Sequence, residues 1–181
     1  MSAKKHRGTR VIHWVMAALT LLLICMGFYM TEFEAYAQYP LHKSLGVIAL
    51  LAILFRLYWR SKHPWESSAA GSKQEPIVHL MHLSLLILLV LLPVSGMMHS
   101  GFGGYGVALF GAELIPHNHK ADGVTQPFNA PLSAFGQRIH RVLGYSPGVL
   151  VALHILAALK HHFVDKDDTL TRMMGKNHHR Y

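Results

Sequence analysis

Four apolar stretches constrain this chain more than any other feature: Val11 to Met30, Leu41 to Trp59, Ile77 to Met98 and Ile139 to Phe163. Each is close to the ~20 residues that carry an α-helix across a hydrocarbon core. Backbone inside lipid must satisfy its own hydrogen bonds, so only helices or a closed barrel can span it. No period-2 alternation is sustained, which speaks against membrane strands. The composition agrees, with 51% of the 181 residues apolar and only 14% charged. The expectation is one all-α integral membrane domain over residues 1–181, with helices at about 11–30, 41–60, 77–98 and 139–163.

The net charge of +8 is distributed for a membrane rather than for nucleic acid. Lys4, Lys5, Arg7 and Arg10 precede the first span, and Arg56, Arg60, Lys62 and Lys73 follow the second. Lys160, Lys166, Arg172, Lys176 and Arg180 end or follow the fourth, whereas the first outer loop holds Glu32 and Glu34 and no Lys or Arg. The positive-inside rule then puts both termini in the cytoplasm and segments 31–41 and 99–138 outside. Ala35-Tyr36-Ala37 after a basic start and an apolar run has the look of a signal-cleavage site. The run is longer than a usual signal core, so the segment is read as a retained span. Cys25 is the only cysteine, which leaves no disulfide framework and no C-x-x-C-H for covalent haem attachment.

Between the spans, Ser61 to Pro76 reads as a polar linker, and residues 99–138 as a long outer loop opening on Gly101-Phe102-Gly103-Gly104-Tyr105-Gly106. Loops of that length are usually functional or disordered. Pro93 and Gly96 in the third span and Pro147 in the fourth suggest kinks.

Histidines carry the chemistry. His140 and His154 lie fourteen residues apart on the fourth span, within roughly 40° of one face and about 21 Å apart in depth. His13 opens the first span at the inner side, and His42 opens the second at the outer side. Matching depth leaves two pairings, His13 with His154 and His42 with His140. Ionisable residues within spans imply function, and paired imidazoles are a common ligand set for haem iron. The reading is two non-covalent b-type haems stacked across the membrane. Gly46, Gly144 and Gly148, spaced at four residues from His42 and His140, would let a flat macrocycle approach the backbone.

His161, seven residues beyond His154, returns nearly to the same face, where an imidazole suits the protonation of a reduced quinone. His79, His82 and His162 share that inner side, and His117 and His119 in the outer loop could bind zinc adventitiously. Lys43, Arg138 and Arg141 flank the outer pair, placed to neutralise haem propionates or to focus a small anionic donor.

These residues resemble the bacterial cytochrome b-561 family of inner-membrane di-haem proteins over nearly the whole chain. The resemblance rests on Ile12-His13-Trp14, His42-x-x-x-Gly46, His79-Leu80-x-His82, Leu92-Pro93-Val94-x-Gly96, Leu143-Gly144-Tyr145, Leu153-His154 and His161-His162-Phe163. The ending Lys166-Asp167-x-Thr169-Leu170-x-Arg172-Met173-Met174 is the most specific element. The resemblance implies haem ligation by His13, His42, His140 and His154 in the inner membrane. It implies electron transfer from a periplasmic donor, superoxide in the similar superoxide oxidases, to ubiquinone. The alternative is a haem-bearing subunit that links a soluble periplasmic redox partner to the quinone pool, with loop 99–138 as the docking surface and Trp65 with its linker contacting a cytoplasmic partner.

Overall fold

The computed structural model describes residues 3–64 and 71–175, so Trp65, His178 and His179 lie outside the described residues. Four long helices form the body: α1 (Ala3–Glu32), α2 (Tyr39–Lys62), α3 (Glu75–Phe102) and α4 (Ala130–Phe163), with a short α5 (Thr169–Met174) at the end. All four long helices have the length and apolar character to cross a membrane. They run past the hydropathy limits because water does not end a helix that is capped and packed. Asn129 caps α4, its side chain accepting from Leu132 N at 3.1 Å, and Pro40 and Pro131 occupy first-turn positions where a missing N–H costs nothing. Helices α3 and α4 continue without interruption through Pro93 and Pro147.

Large apolar side chains such as Val15, Leu22, Leu51, Leu54, Ile87, Leu91, Val142 and Leu156 stand exposed along the bundle, as lipid-facing surfaces must. The apolar residues fully inside are few among those described: Met16, Met30, Val47, Ile53 and Val107. Small residues bring α3 and α4 into intimate contact. A Cβ on Gly136 would stand 2.7 Å from His99 N and 3.0 Å from Ser95 O, so the two backbones touch there. Ser133 locks the same crossing by donating to the carbonyl of His99 at 3.0 Å.

Residues 103–129 depart from the expectation of an irregular outer loop. Strands β1 (Tyr105–Leu109) and β2 (Ala112–His117) pair antiparallel, with a bulge at Val107/Ala108 and an added bridge between His119 and Thr125. Phe110 (φ 48°) and Gly111 (φ 94°) form the two-residue connection, both with the positive φ that a twisted hairpin demands. The hairpin is tied to the bundle through α2. Lys43 Nζ donates to the carbonyls of Tyr105 and Gly106 at 2.9 and 3.0 Å. Ser44 Oγ lies 3.0 Å from the Ala108 carbonyl and accepts from Phe110 N at 3.0 Å. Val107, 1% exposed, is the apolar plug beneath it.

At the opposite end α5 folds back on the start of α1, where Trp14 Nε1 donates to the Met173 carbonyl at 3.0 Å. Trp59 near the end of α2 donates to Thr9 Oγ1 at 3.1 Å. Both described chain ends therefore lie at one end of the bundle and the hairpin at the other.

Candidate functional site

The helices do not pack evenly. Helix α3 packs on α4, and α2 on both α1 and α3, but α1 meets α4 only slightly and α2 meets it less still. The loosely joined pairs carry facing imidazoles. His42 on α2 and His140 on α4 have ring centroids 6.2 Å apart at 82°. His13 on α1 and His154 on α4 stand 6.3 Å apart at 60°. A metal bonded to both imidazoles, at about 2.0 Å each and with about 1.1 Å from nitrogen to ring centre, would separate the centroids by roughly 6.2 Å. Both gaps have that width.

The surroundings fit a ligand at the gap between His42 and His140. His140 Nδ1 donates to the Leu92 carbonyl at 2.8 Å, which directs Nε2 toward the gap, and Ser95 Oγ lies 3.3 Å from the same nitrogen. Gly96 makes room for that ring, since a Cβ there would come within 3.0 Å of His140 Cε1. His42 Nδ1 is buried without a hydrogen-bond partner. A Cβ on Gly46, Gly144 or Gly148 would meet nothing within 4 Å, so open space lies beside each glycine in the helices that bear His42 and His140. Among the described residues no cluster of three or more His, Cys, Asp or Glu is arranged for a bare metal ion. Each gap brings two imidazoles together, and His82 stands beside the inner pair.

A regularity unites the two layers. On every long helix, two site positions lie fourteen residues apart: His13 and Gly27 on α1, His42 and Arg56 on α2, His82 and Gly96 on α3, His140 and His154 on α4. At 1.5 Å per residue this is one depth interval of about 21 Å, repeated four times. The layer at the hairpin end has two imidazoles and two glycines. Gly27 there faces the His42 ring, its Cβ position 3.9 Å from Cε1. The layer near the chain ends has three histidines and an arginine. His82 lies edge-on to His154 with centroids 5.5 Å apart, and Arg56 Nη1 is 3.4 Å from His13 Nδ1. Sequence reasoning passed over Arg56 as an interfacial charge; its fourteen-residue spacing from His42 was the signal that marks it.

The other residues singled out from sequence fall around these layers. Arg138 and Arg141 are exposed on α4 at the hairpin end. Lys43 commits two of its three protons to the hairpin carbonyls, leaving one for another acceptor. His161 Nδ1 lies 3.0 Å from Asp165 Oδ2 and 3.2 Å from Asp167 Oδ2, with only 15% of its side chain exposed. Its hydrogen-bond partners are these carboxylates in the α4–α5 corner, not any group of the His13–His154 pair. Lys160 also binds Asp165, at 2.8 Å, and that hydrogen bond holds the Asp165 carboxyl below the ordinary carboxylate range. What this pairing adds to stability is therefore present above the ordinary carboxylate pKa and fades as pH falls through the lowered one. His79 is exposed, while His162 Nδ1 is buried without a hydrogen-bond partner. In the hairpin His117 binds Glu113 at 2.9 Å and stacks on His119, centroids 5.7 Å apart.

Apolar helices with opposed imidazoles describe a membrane-embedded helical bundle whose histidine pairs could hold a metal-containing group. A family model for prokaryotic cytochrome b561 matches residues 5–176, and this chain belongs to that family. Members are bacterial membrane proteins that bind b-type haem and carry electrons across the membrane. The chain is 31% identical over 172 residues to cytochrome b561 homolog 2 of Escherichia coli (strain K12), covering 91% of this chain and 88% of the relative. It is 28% identical over 176 residues to the probable superoxide oxidase CybB of Yersinia pestis, covering 91% and 92%. It is 26% identical over 184 residues to cytochrome b561 homolog 1 of Escherichia coli (strain K12), covering 91% and 93%.

Proposed function

We propose that the chain holds two b-type haems, one between His42 and His140 and one between His13 and His154, and passes electrons from superoxide to ubiquinone. The observation that carries this reading is the repeated imidazole gap, 6.2 and 6.3 Å between centroids, at two depths of one helix bundle. When bound, each haem supplies a one-electron couple at an iron sheltered from water. The chain's own residues do the rest. His140 is held in one tautomer by the Leu92 carbonyl, which keeps its ring square to the gap. Arg138 and Arg141, exposed beside that gap, concentrate a small anion at the outer end.

Two superoxide ions give up one electron each and leave as dioxygen; ubiquinone gains the two electrons and two protons and leaves as ubiquinol. His161 is the group proposed to hand a proton to the quinone, its ring fixed by Asp165 and Asp167. A similar protein bears the name probable superoxide oxidase, which supports the donor. The test is a superoxide pulse on the purified protein. Haem absorbance should turn to the reduced form at about 10⁸–10⁹ M⁻¹s⁻¹, slowing as salt is added. Haems that stay oxidised under the pulse would overturn superoxide as the donor.

A second reading makes the chain a haem-bearing subunit that accepts electrons from a soluble redox protein. Phe110, Leu114, Val124 and Phe128 favour it, since these exposed apolar side chains all lie on segment 103–129, beyond the spans. Under that reading a periplasmic partner, not superoxide, reduces the haems.

We also propose that the end holding α5 faces the cytoplasm of a bacterial cell and the hairpin faces out, from the clustering of Arg7, Arg10, Arg56, Arg60 and Lys160 at that end. A topology reporter fused after Tyr181 should be active only in its cytoplasmic form. Activity confined to the periplasmic form would reverse the orientation.

A further inference from the structure

The two layers differ in the side chains set fourteen residues from the imidazoles. Gly27 and Gly96 flank the outer pair, whose nearby cations are the exposed Arg138 and Arg141 and Lys43 held by hairpin carbonyls, whereas Arg56 and His82 flank the inner pair at the equivalent depth. Arg56 lies within a span, and among the described residues its hydrogen-bond partner is His13 Nδ1 at 3.4 Å, with no carboxylate in ion-pair contact. A cation in lipid without a counter-ion is costly, so its site is built for an anion that arrives with a ligand. The contact to His13 is itself provisional. An imidazole that gives Nε2 to iron keeps its proton on Nδ1, and two donors cannot share a bond. With iron bound the guanidinium must turn to another acceptor. Arg60 follows one turn later on the same face of α2, near enough to His82 to interact electrostatically, as Arg56 does.

We propose that Arg56, assisted by Arg60 at the rim, binds the carboxylate side chains of the inner haem and makes that haem easier to reduce than the outer one. The proposal rests on the reading that a haem lies between His13 and His154. A fixed positive charge beside the iron favours the ferrous form, which carries one positive charge fewer than the ferric. The outer layer has glycines where this charge stands. The resulting difference favours the passage of an electron from the hairpin end inward.

The test is an optical redox titration of the purified holoprotein and its variants, with haem content measured alongside. Arg56→Gln should retain two haems, and the reduction equilibrium of one should shift about tenfold toward the oxidised form, which is 59 mV for one electron. That haem should be the one missing from His154→Ala. Arg56→Lys should shift less than threefold, because the charge remains, and Arg60→Gln likewise, because water screens the rim. Both haems of Arg56→Gln titrating as in the wild type, or the shift falling on the other haem, would overturn the proposal while leaving the ligand pairs intact. Should Arg56→Gln lose the inner haem outright, Arg56→Lys decides. Haem retained with lysine supports charge recognition, and haem lost with lysine as well rejects it. If His154→Ala keeps both haems, the underlying reading fails and the proposal fails with it.

Discussion

Replacing His154 with alanine is expected to leave a protein that carries one haem instead of two, and His140→Ala to leave the complementary one. Each substitution removes an imidazole from a gap of 6.3 or 6.2 Å, and the opposite ring cannot reach across that distance. The remaining haem should keep the spectrum of a low-spin iron with two imidazoles, because the layers lie about 21 Å apart on α4 and share no ligand. His82, with its ring 5.5 Å from that of His154, is the nearest substitute ligand in the inner layer. The double variant His82→Ala/His154→Ala closes that route. Haem content by pyridine haemochrome and low-temperature spectra of the α bands make the measurement. A His154→Ala or His140→Ala protein with two unaltered bis-histidine haems would show that the pairing is wrong. His13→Ala and His42→Ala should reproduce the two phenotypes in turn, since each gap has two sides.

The second large effect is expected at His161. Its Nδ1 is held between Asp165 and Asp167, which orients the ring, and the proposed role is proton donation to quinone. Replacing it with Ala or Gln should leave both haems bound and reducible from outside, yet slow their reoxidation by quinone. General acid catalysis typically contributes about 10²–10⁴-fold, and water reaches an interfacial site, so a loss of severalfold up to about 10² is expected. Stopped-flow reoxidation by a soluble quinone between about pH 6 and 8 measures it. Unchanged rates across that range would reduce His161 to a structural anchor of the α4–α5 corner and point to His82 or water as the proton source.

The hydrogen bonds around His161 also show what the sequence concealed. Seven-residue spacing from His154 placed it near one face, but nothing in the spacing indicated that the chain turns back after Phe163. Asp165 and Asp167 reach His161 because the backbone turns back at the end of α4, where Asp165 N donates to the Lys160 carbonyl and Asp167 N to the His161 carbonyl. Lys43 shows the same limit. Adjacent to His42 in sequence, it read as a partner for propionates, and in the fold two of its protons hold hairpin carbonyls. The hairpin was invisible beforehand because five- and six-residue strands around Gly104, Gly106 and Gly111 show little alternation. Their register comes from Ser44 and Lys43 on another element.

What the sequence determined by itself is the set of properties imposed by lipid. A hydrocarbon core admits only backbone that satisfies its own hydrogen bonds, so four apolar stretches of about 20 residues had to be helices. Helical geometry then converts residue number into depth, which paired His13 with His154 and His42 with His140 before any coordinates. Tertiary structure decided what depth cannot express: which helices touch and which stand apart. Gly136 and Ser133 draw α4 against α3, while α4 packs little on α1 and less on α2. The facing imidazoles stand across those looser pairs, where side chains from distant parts of the chain meet. The same packing placed Arg56 beside His13. Lipid dictates the helices, but small side chains at one crossing decide which of them pack closely.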